Sequence, residues 1–219
     1  YSGRDCIVER VKKEIVVHTV DDFYLDVSSL SAYLSDKGLC KSHVAIVGEN
    51  SYAWLVTYFA AACCGAVAVP IDKELTDSEI EKLALKADCT AIFFSRTYKK
   101  AALGALREEN ALCVCFDSKE ENGFLSFADV LSKGRELLES GKAKDLFVFS
   151  PNSPAAIVFT SGTTGENKGT LLSHKNLVSN VEGVLNVIEP VYSAMSVLPM
   201  NHTYELSCCV LSALCLDAV

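Results

Sequence analysis

The hydrophobic pattern along the chain alternates between short apolar runs and stretches of helical spacing. HVAIVG, residues 43–48, predicts a buried strand. Behind it, Trp54, Leu55, Tyr58, Phe59 and Ala62 share one face of a helix predicted over 51–64, which Asn50 or Ser51 can cap. Gly65 stops that helix, and AVAVPI (66–71) predicts the next strand. Thr76 and Glu79 have capping-box spacing, ahead of a helix that buries Ile80, Leu83 and Ala87. TAIFFS (90–95) predicts a third strand, residues 98–109 a helix and LCVCFD (112–117) a fourth strand.

Further elements flank this series. EIVVHTV (14–20) predicts a strand, and 27–37 a helix with Val27, Leu30 and Leu34 on one side. KEENG (119–123) is a polar turn, and 126–140 predicts a helix burying Phe127, Val130, Leu131, Leu137 and Leu138. Strands alternating with helices of these lengths imply an α/β fold: a parallel, doubly wound sheet with helices on both faces. Its crossovers are expected to be right-handed. SPNSP (150–154) then breaks the chain, ahead of the apolar strand AAIVFT (155–160).

TSGTTGENKGTLLSH (160–174) follows. Glycines let backbone N–H groups turn toward an anion, hydroxyls donate further hydrogen bonds, and Lys168 adds a mobile positive charge. GTLLSH predicts a returning strand, making a hairpin. Ser173 caps a helix carrying Leu177, Val181, Val184, Leu185 and Ile188. These residue types suit an oligophosphate, but a mobile Gly/Ser/Thr-rich surface turn has the same composition. The common P-loop requires Gly-x-x-x-x-Gly-Lys-Ser/Thr, which this stretch lacks.

Composition narrows the function classes. Half of the 219 residues are hydrophobic, enough for one substantial core or two small ones. The formal charge is −8 and no Lys/Arg cluster stands out, which argues against a nucleic-acid partner. Residues 53–71 are uncharged and long enough to span a bilayer, but Gly65 and Pro70 punctuate them, and helix–glycine–strand explains them without lipid. The ten cysteines contain no C-x-x-C pair and no zinc-ligand spacing, and most sit in hydrophobic segments. They imply a reducing, cytoplasmic setting.

IVFTSGTTGENKGTLLSH resembles the signature of the adenylate-forming enzymes: acyl-CoA synthetases, luciferases and peptide-synthetase adenylation domains. VAIVGENSYAWLVTYFAAACCGAVAVPID resembles that family's early segment, and SVLPMNHTYE its Leu-Pro-x-x-His segment, so the likeness spans residue 27 to about 216. It implies that a carboxylate attacks the α-phosphorus of Mg-ATP, and that a thiol, usually of coenzyme A, then takes the acyl group. Thr160, Ser161, Gly162, Thr163, Thr164, Gly165 and Lys168 would clamp the phosphates. Thr163 or Thr164 would help hold Mg²⁺, and His202 would lie near the carboxylate and thiol path as a catalytic residue beside Lys168. HTYE is more similar to fatty-acyl-CoA synthetases than to amino-acid-activating domains.

The resemblance also implies a longer protein, with adenine-binding segments and a second catalytic lysine after the Leu-Pro-x-x-His segment. We therefore expect 1–150 to be an N-terminal α/β subdomain, and 151–219 the phosphate-binding hairpin with an incomplete second subdomain. The fragment is expected to be inactive alone. The apolar helix YELSCCVLSALCL (204–216) is expected to lie exposed and drive self-association. A departure is Asn167, which stands where the family usually has Pro; it is expected to leave the loop exit looser. An adenylation domain acting on an amino acid or a carrier-protein thiol, or a non-catalytic nucleotide-binding module, are the alternative readings.

Overall fold

Strand alternation sorts the apolar side chains into two cores, one on each side of a central sheet. Val44 and Ile46 of β3 (His43–Val47) point into one; Ala45 and Val47 point into the other. The same split holds in β5 (Cys89–Phe94), where Ala91 and Phe93 oppose Ile92 and Phe94. Both faces are therefore covered, as a parallel sheet requires. The computed structural model describes residues 3–106, 111–119, 121, 123–143, 146, 150–161, 167–189, 191–216 and 218–219.

The sheet has seven strands. β4 (Val67–Pro70) flanks β3 on one side and β5 on the other; β6 (Leu112–Cys115) and β7 (Leu125–Ser126) continue beyond β5, and β8 (Pro154–Ser161) and β9 (Asn167–Ser173) beyond β4. All neighbours are parallel except β8 and β9, which form the expected antiparallel hairpin. The hairpin thus adds to the same sheet as the strands before it, through Ala68 opposite Ala156.

α1 (Val20–Asp36), α2 (Tyr52–Cys63) and α5 (Phe127–Glu139) cover one face; α3 (Asp77–Lys86) and α4 (Lys99–Gly104) cover the other. Ser51, not Asn50, caps α2: its hydroxyl accepts the Trp54 N–H at 3.2 Å. Gly65 ends α2 in the left-handed region, at φ 82°. The capping box at Thr76 and Glu79 is formed. A second box, Thr19 with Asp22, starts α1 seven residues earlier than expected. Its acidic first turn hides the apolar stripe but suits the helix N-terminus.

Several expectations need correction. β1 (Asp5–Val11) was not foreseen; it pairs only with β2 (Glu14–Thr19), in a separate two-stranded ribbon. α4 ends at Gly104, after a 3₁₀ turn over Arg96–Tyr98, and part of the helix expected to 109 lies outside the described residues. Leu137 and Leu138 are half-buried, whereas Gly134 of α5 is fully packed. α6 (His174–Leu185) buries Val181, but Ile188 lies beyond its end and is exposed.

The C-terminal segment also differs. It is π-helical over Glu205–Leu211 and continues as α7 (Ser212–Cys215). Leu206 and Val210 join the core on the face covered by α1, α2 and α5, so this helix is covered by the chain itself. Burying those two side chains contributes about 1.5–3 kcal/mol each. The exposed apolar surface lies instead on the segment before it, at Val187, Tyr192, Met195 and Val197. Among the described residues no helix is long and apolar enough to cross a membrane.

Candidate functional site

In an open α/β sheet the usual ligand crevice lies at the carboxyl ends of the strands where the chain order reverses. Here that point is between β3 and β5. Ser95 bridges it: its N–H donates to Val47 O at 3.0 Å, and its hydroxyl accepts the Glu49 N–H at 3.3 Å. Glu49 in turn pairs with Lys73 and accepts the Tyr98 hydroxyl at 3.3 Å. An exposed carboxylate at this point, like charged with a phosphate, is poorly suited to an oligophosphate.

The opening lies further along the same sheet edge, at β4 and β8. A cavity of about 370 Å³ is lined by Pro70, Asp72, Leu75, Leu83, Val158, Phe159, Thr160, Asn167, Asn201, His202 and Thr203. Parallel pairing with β4 carries β8 outward, so that Thr160 reaches the cavity rim, where it is exposed. Lys168 stands directly opposite Thr160 in β9, so both side chains share one face of the hairpin. The Lys168 ammonium is exposed and outside the described lining. Ser161 pairs through its backbone with Asn167. Gly162, Thr163, Thr164 and Gly165, on which most of the phosphate-clamp expectation falls, lie outside the described residues.

Two features brace the hairpin. Gly169 sits opposite Phe159, and a Cβ there would lie 3.0 Å from Ile157 Cγ2 and 3.2 Å from Phe159 Cε1. This glycine therefore serves a close side-chain approach within the ladder, and not only the return of the chain. At the exit, Lys86 of α3 donates to the Asn167 carbonyl at 2.7 Å. That bond holds the residue expected to loosen the loop. Beyond β9, Ser173 and Asn176 form a capping box for α6. His174 is half-buried there, and burial lowers its pKa, which favours a neutral ring.

His202 reaches the cavity from a turn, its N–H donating to Pro199 O at 3.0 Å. Its Nδ1 accepts the Tyr204 backbone N–H at 3.3 Å. An amide can only donate, so in the neutral ring Nδ1 carries the lone pair and Nε2 the proton. The exposed ring can thus offer one N–H to an anionic oxygen.

The structure therefore brings Thr160 and His202 to one cavity, although 42 positions separate them in the chain. Sequence reasoning missed Asp72, Asn201 and Thr203 in the same lining. Asp72 carried one available signal: it follows the carboxyl end of β4. Its Oδ1 accepts the Glu74 N–H at 3.0 Å. Among the described residues no three His, Cys, Asp or Glu side chains gather to hold a metal ion.

Comparison with known proteins gives this arrangement a context. Residues 2–218 match the AMP-binding enzyme family. The 4-coumarate–CoA ligase 4 of Arabidopsis thaliana is 27% identical over 222 residues, covering 97% of this chain and 38% of the relative. The mitochondrial medium-chain acyl-CoA ligase ACSF2 of Homo sapiens is 30% identical over 177 residues, covering 71% of this chain and 29% of the relative. Among solved structures, the adenylation domain of a carboxylate reductase from Mycobacterium chelonae superposes with a TM-score of 0.78 at 19% identity, covering 97% of this chain and 38% of that one. The last likeness shows the fold. The chain spans less than two fifths of the length of these proteins.

Proposed function

The chain belongs to the AMP-binding enzyme family, and from that premise we propose that the full-length protein activates a carboxylic acid with ATP and passes the acyl group to coenzyme A. The substrate carboxylate attacks the α-phosphorus, the bond between the α- and β-phosphates breaks, and pyrophosphate leaves. The thiol sulfur then attacks the acyl carbon, AMP leaves with the bonding electrons, and the thiol proton passes to solvent.

In this reading the hairpin between β8 and β9 grips the β- and γ-phosphates. Thr160, Ser161, Gly162, Thr163, Thr164 and Gly165 supply amides and hydroxyls, and Lys168 supplies charge. Positioning and neutralisation are most of what phosphorus chemistry asks of a protein. Mg²⁺ would arrive with the nucleotide, held by its phosphates and by the hydroxyl of Thr163 or Thr164. His202, with its proton on Nε2, would donate to an oxygen of the carboxylate or the adenylate.

The observation that carries this reading is the shared cavity of Thr160 and His202, beside the exposed Lys168. The division at residue 150 is then one of role: residues 1–150 build the platform and 151–219 bring the phosphate-binding hairpin and His202. The short share of the relatives' length supports a site completed by further residues, so these 219 residues alone should not turn over. The ten cysteines, most of them in hydrophobic segments and none at C-x-x-C spacing, favour a reducing compartment, and we assign the cytoplasm.

HTYE, and the likeness to a medium-chain acyl-CoA ligase, favour a fatty acid substrate. The likeness to a 4-coumarate–CoA ligase, over more of the chain, favours an aryl acid as the second reading. Acid-dependent ATP–pyrophosphate exchange by the full-length protein, with a medium- or long-chain fatty acid against a hydroxycinnamate, separates the two. Loss of exchange in Lys168→Ala supports the phosphate role of the hairpin. Full exchange in that variant, or no exchange with any carboxylate in the parent, defeats the proposal.

A further inference from the structure

Asn50 sits beside the N-cap of α2 without serving it, because Ser51 takes the capping bond. Its side chain points instead across the molecule, to a segment about 150 residues later. Its Nδ2 donates to Leu198 O at 2.7 Å and to Ser196 Oγ at 3.1 Å, and its Oδ1 accepts the Met200 N–H at 3.0 Å. Leu198 O can only accept and Met200 N–H can only donate, so the orientation of the amide is fixed by its partners.

Those two backbone groups bracket Pro199. Proline fixes its own φ, and Pro199 O accepts the His202 N–H at 3.0 Å. A grip on both sides of Pro199 therefore sets the start of the turn that carries His202. The other end of the turn is held by Leu206 N–H donating to His202 O at 3.0 Å, and by the Tyr204 N–H on Nδ1. Only a short primary amide both donates and accepts at this reach; aspartate keeps the acceptor and loses the donors.

We infer that Asn50 is a positioning residue for His202: by clamping Leu198–Pro199–Met200 to the end of β3 it presents the imidazole to the cavity with its proton on Nε2. The inference rests on the role proposed above for His202. It reaches the site through the backbone and touches no substrate.

The test uses the full-length protein with Asn50→Ala, Asn50→Asp, His202→Ala and the Asn50→Ala/His202→Ala pair. Ser51 is retained in every variant, so α2 keeps its cap, and thermal melting verifies folding. Asn50→Ala should lower acid-dependent pyrophosphate exchange about tenfold, the scale of losing a net hydrogen bond or two. Asn50→Asp, which preserves size, should fall in the same direction. In the His202→Ala background the further loss should shrink to less than twofold. Equal losses in both backgrounds would overturn the inference.

Imidazole ¹⁵N shifts of His202 supply a readout that a purely structural residue would not move. In the parent they should report the proton on Nε2, and in Asn50→Ala a mixture of tautomers. Unchanged shifts in a folded Asn50→Ala protein would also overturn the inference. Full exchange in His202→Ala would instead defeat the role of His202, while the ¹⁵N shifts still decide whether Asn50 holds the ring.

Discussion

Gly134 of α5 lies against the backbone of Ser29 in α1, so that a Cβ added to it would sit 1.9 Å from Ser29 O. The two helices meet here at backbone distance. Ser29 permits this by folding its hydroxyl back onto Leu25 O, at 2.7 Å, and Ser31 does the same with Val27 O at 2.7 Å. Gly134→Ala should therefore destabilise the protein by about 1–3 kcal/mol, despite the better helix propensity of alanine. Urea denaturation checks this; a variant as stable as the parent would show that α5 can move away freely.

The capping boxes predict an acid-sensitive pair of helix starts. The Thr19 hydroxyl, then its backbone N–H, lowers the Asp22 pKa, and Thr76 does the same for Glu79. A carboxylate whose folded pKa is depressed contributes stability above its unfolded value, lost as pH falls through the folded value. The starts of α1 and α3 should therefore hold at neutral pH and loosen only in acid, from the ordinary carboxylate range downward. Thr76→Ala should return the Glu79 titration, followed by carboxyl ¹³C shifts, toward its ordinary position. A midpoint that stays put would refute the assignment to Thr76.

Cysteine reactivity should follow burial. Burial pushes the thiols of Cys63 and Cys113 up to about 11, and those of Cys64 and Cys89 up to about 12. Thiols so raised present almost no thiolate at neutral pH. Cys40 and Cys215 are exposed. Brief maleimide labelling of the native chain at pH 7, read by peptide mass, should mark Cys40 and Cys215 well before those four. Early labelling of Cys89 would mean that the face carrying α3 opens.

How much of this was legible in the sequence depends on how local the signal was. β3, α2 and β4 could be read because Val44 to Val47, Trp54 to Tyr58 and the apolar residues after Gly65 each carry their own period. The hairpin could be read from AAIVFT and the glycines behind it. The placement of β8 beside β4 could not, because Ala68 and Ala156 are neighbours in the sheet but lie 88 positions apart in the chain, and their pairing leaves no trace in either segment. β1 was hidden for a different reason: Asp5, Glu9 and Arg10 interrupt its apolar residues, and it pairs with one strand only. The site follows the same rule. Thr160 and His202 were visible as residue types in a motif, whereas the place of Asp72 in the cavity lining and the long-range hydrogen bonds of Asn50 appear only in three dimensions.

The remaining prediction concerns association. The expectation of a sticky C-terminal helix fails because Leu206 and Val210 are buried, but the segment before it carries Val187 at 81%, Tyr192 at 94%, Met195 at 81% and Val197 at 72% exposure. Apolar side chains grouped so openly gain from covering one another. These 219 residues should sediment as a concentration-dependent mixture of monomer and larger species. Tyr192→Ser with Val197→Ser should shift that mixture toward monomer without lowering the melting temperature. Leu206→Ala should do the opposite: it should cost about 2–5 kcal/mol of stability and promote association by loosening the helix from the core. A parent chain that remains monomeric at every concentration would refute the prediction, and dissociation by Leu206→Ala would return the contact to the C-terminal helix.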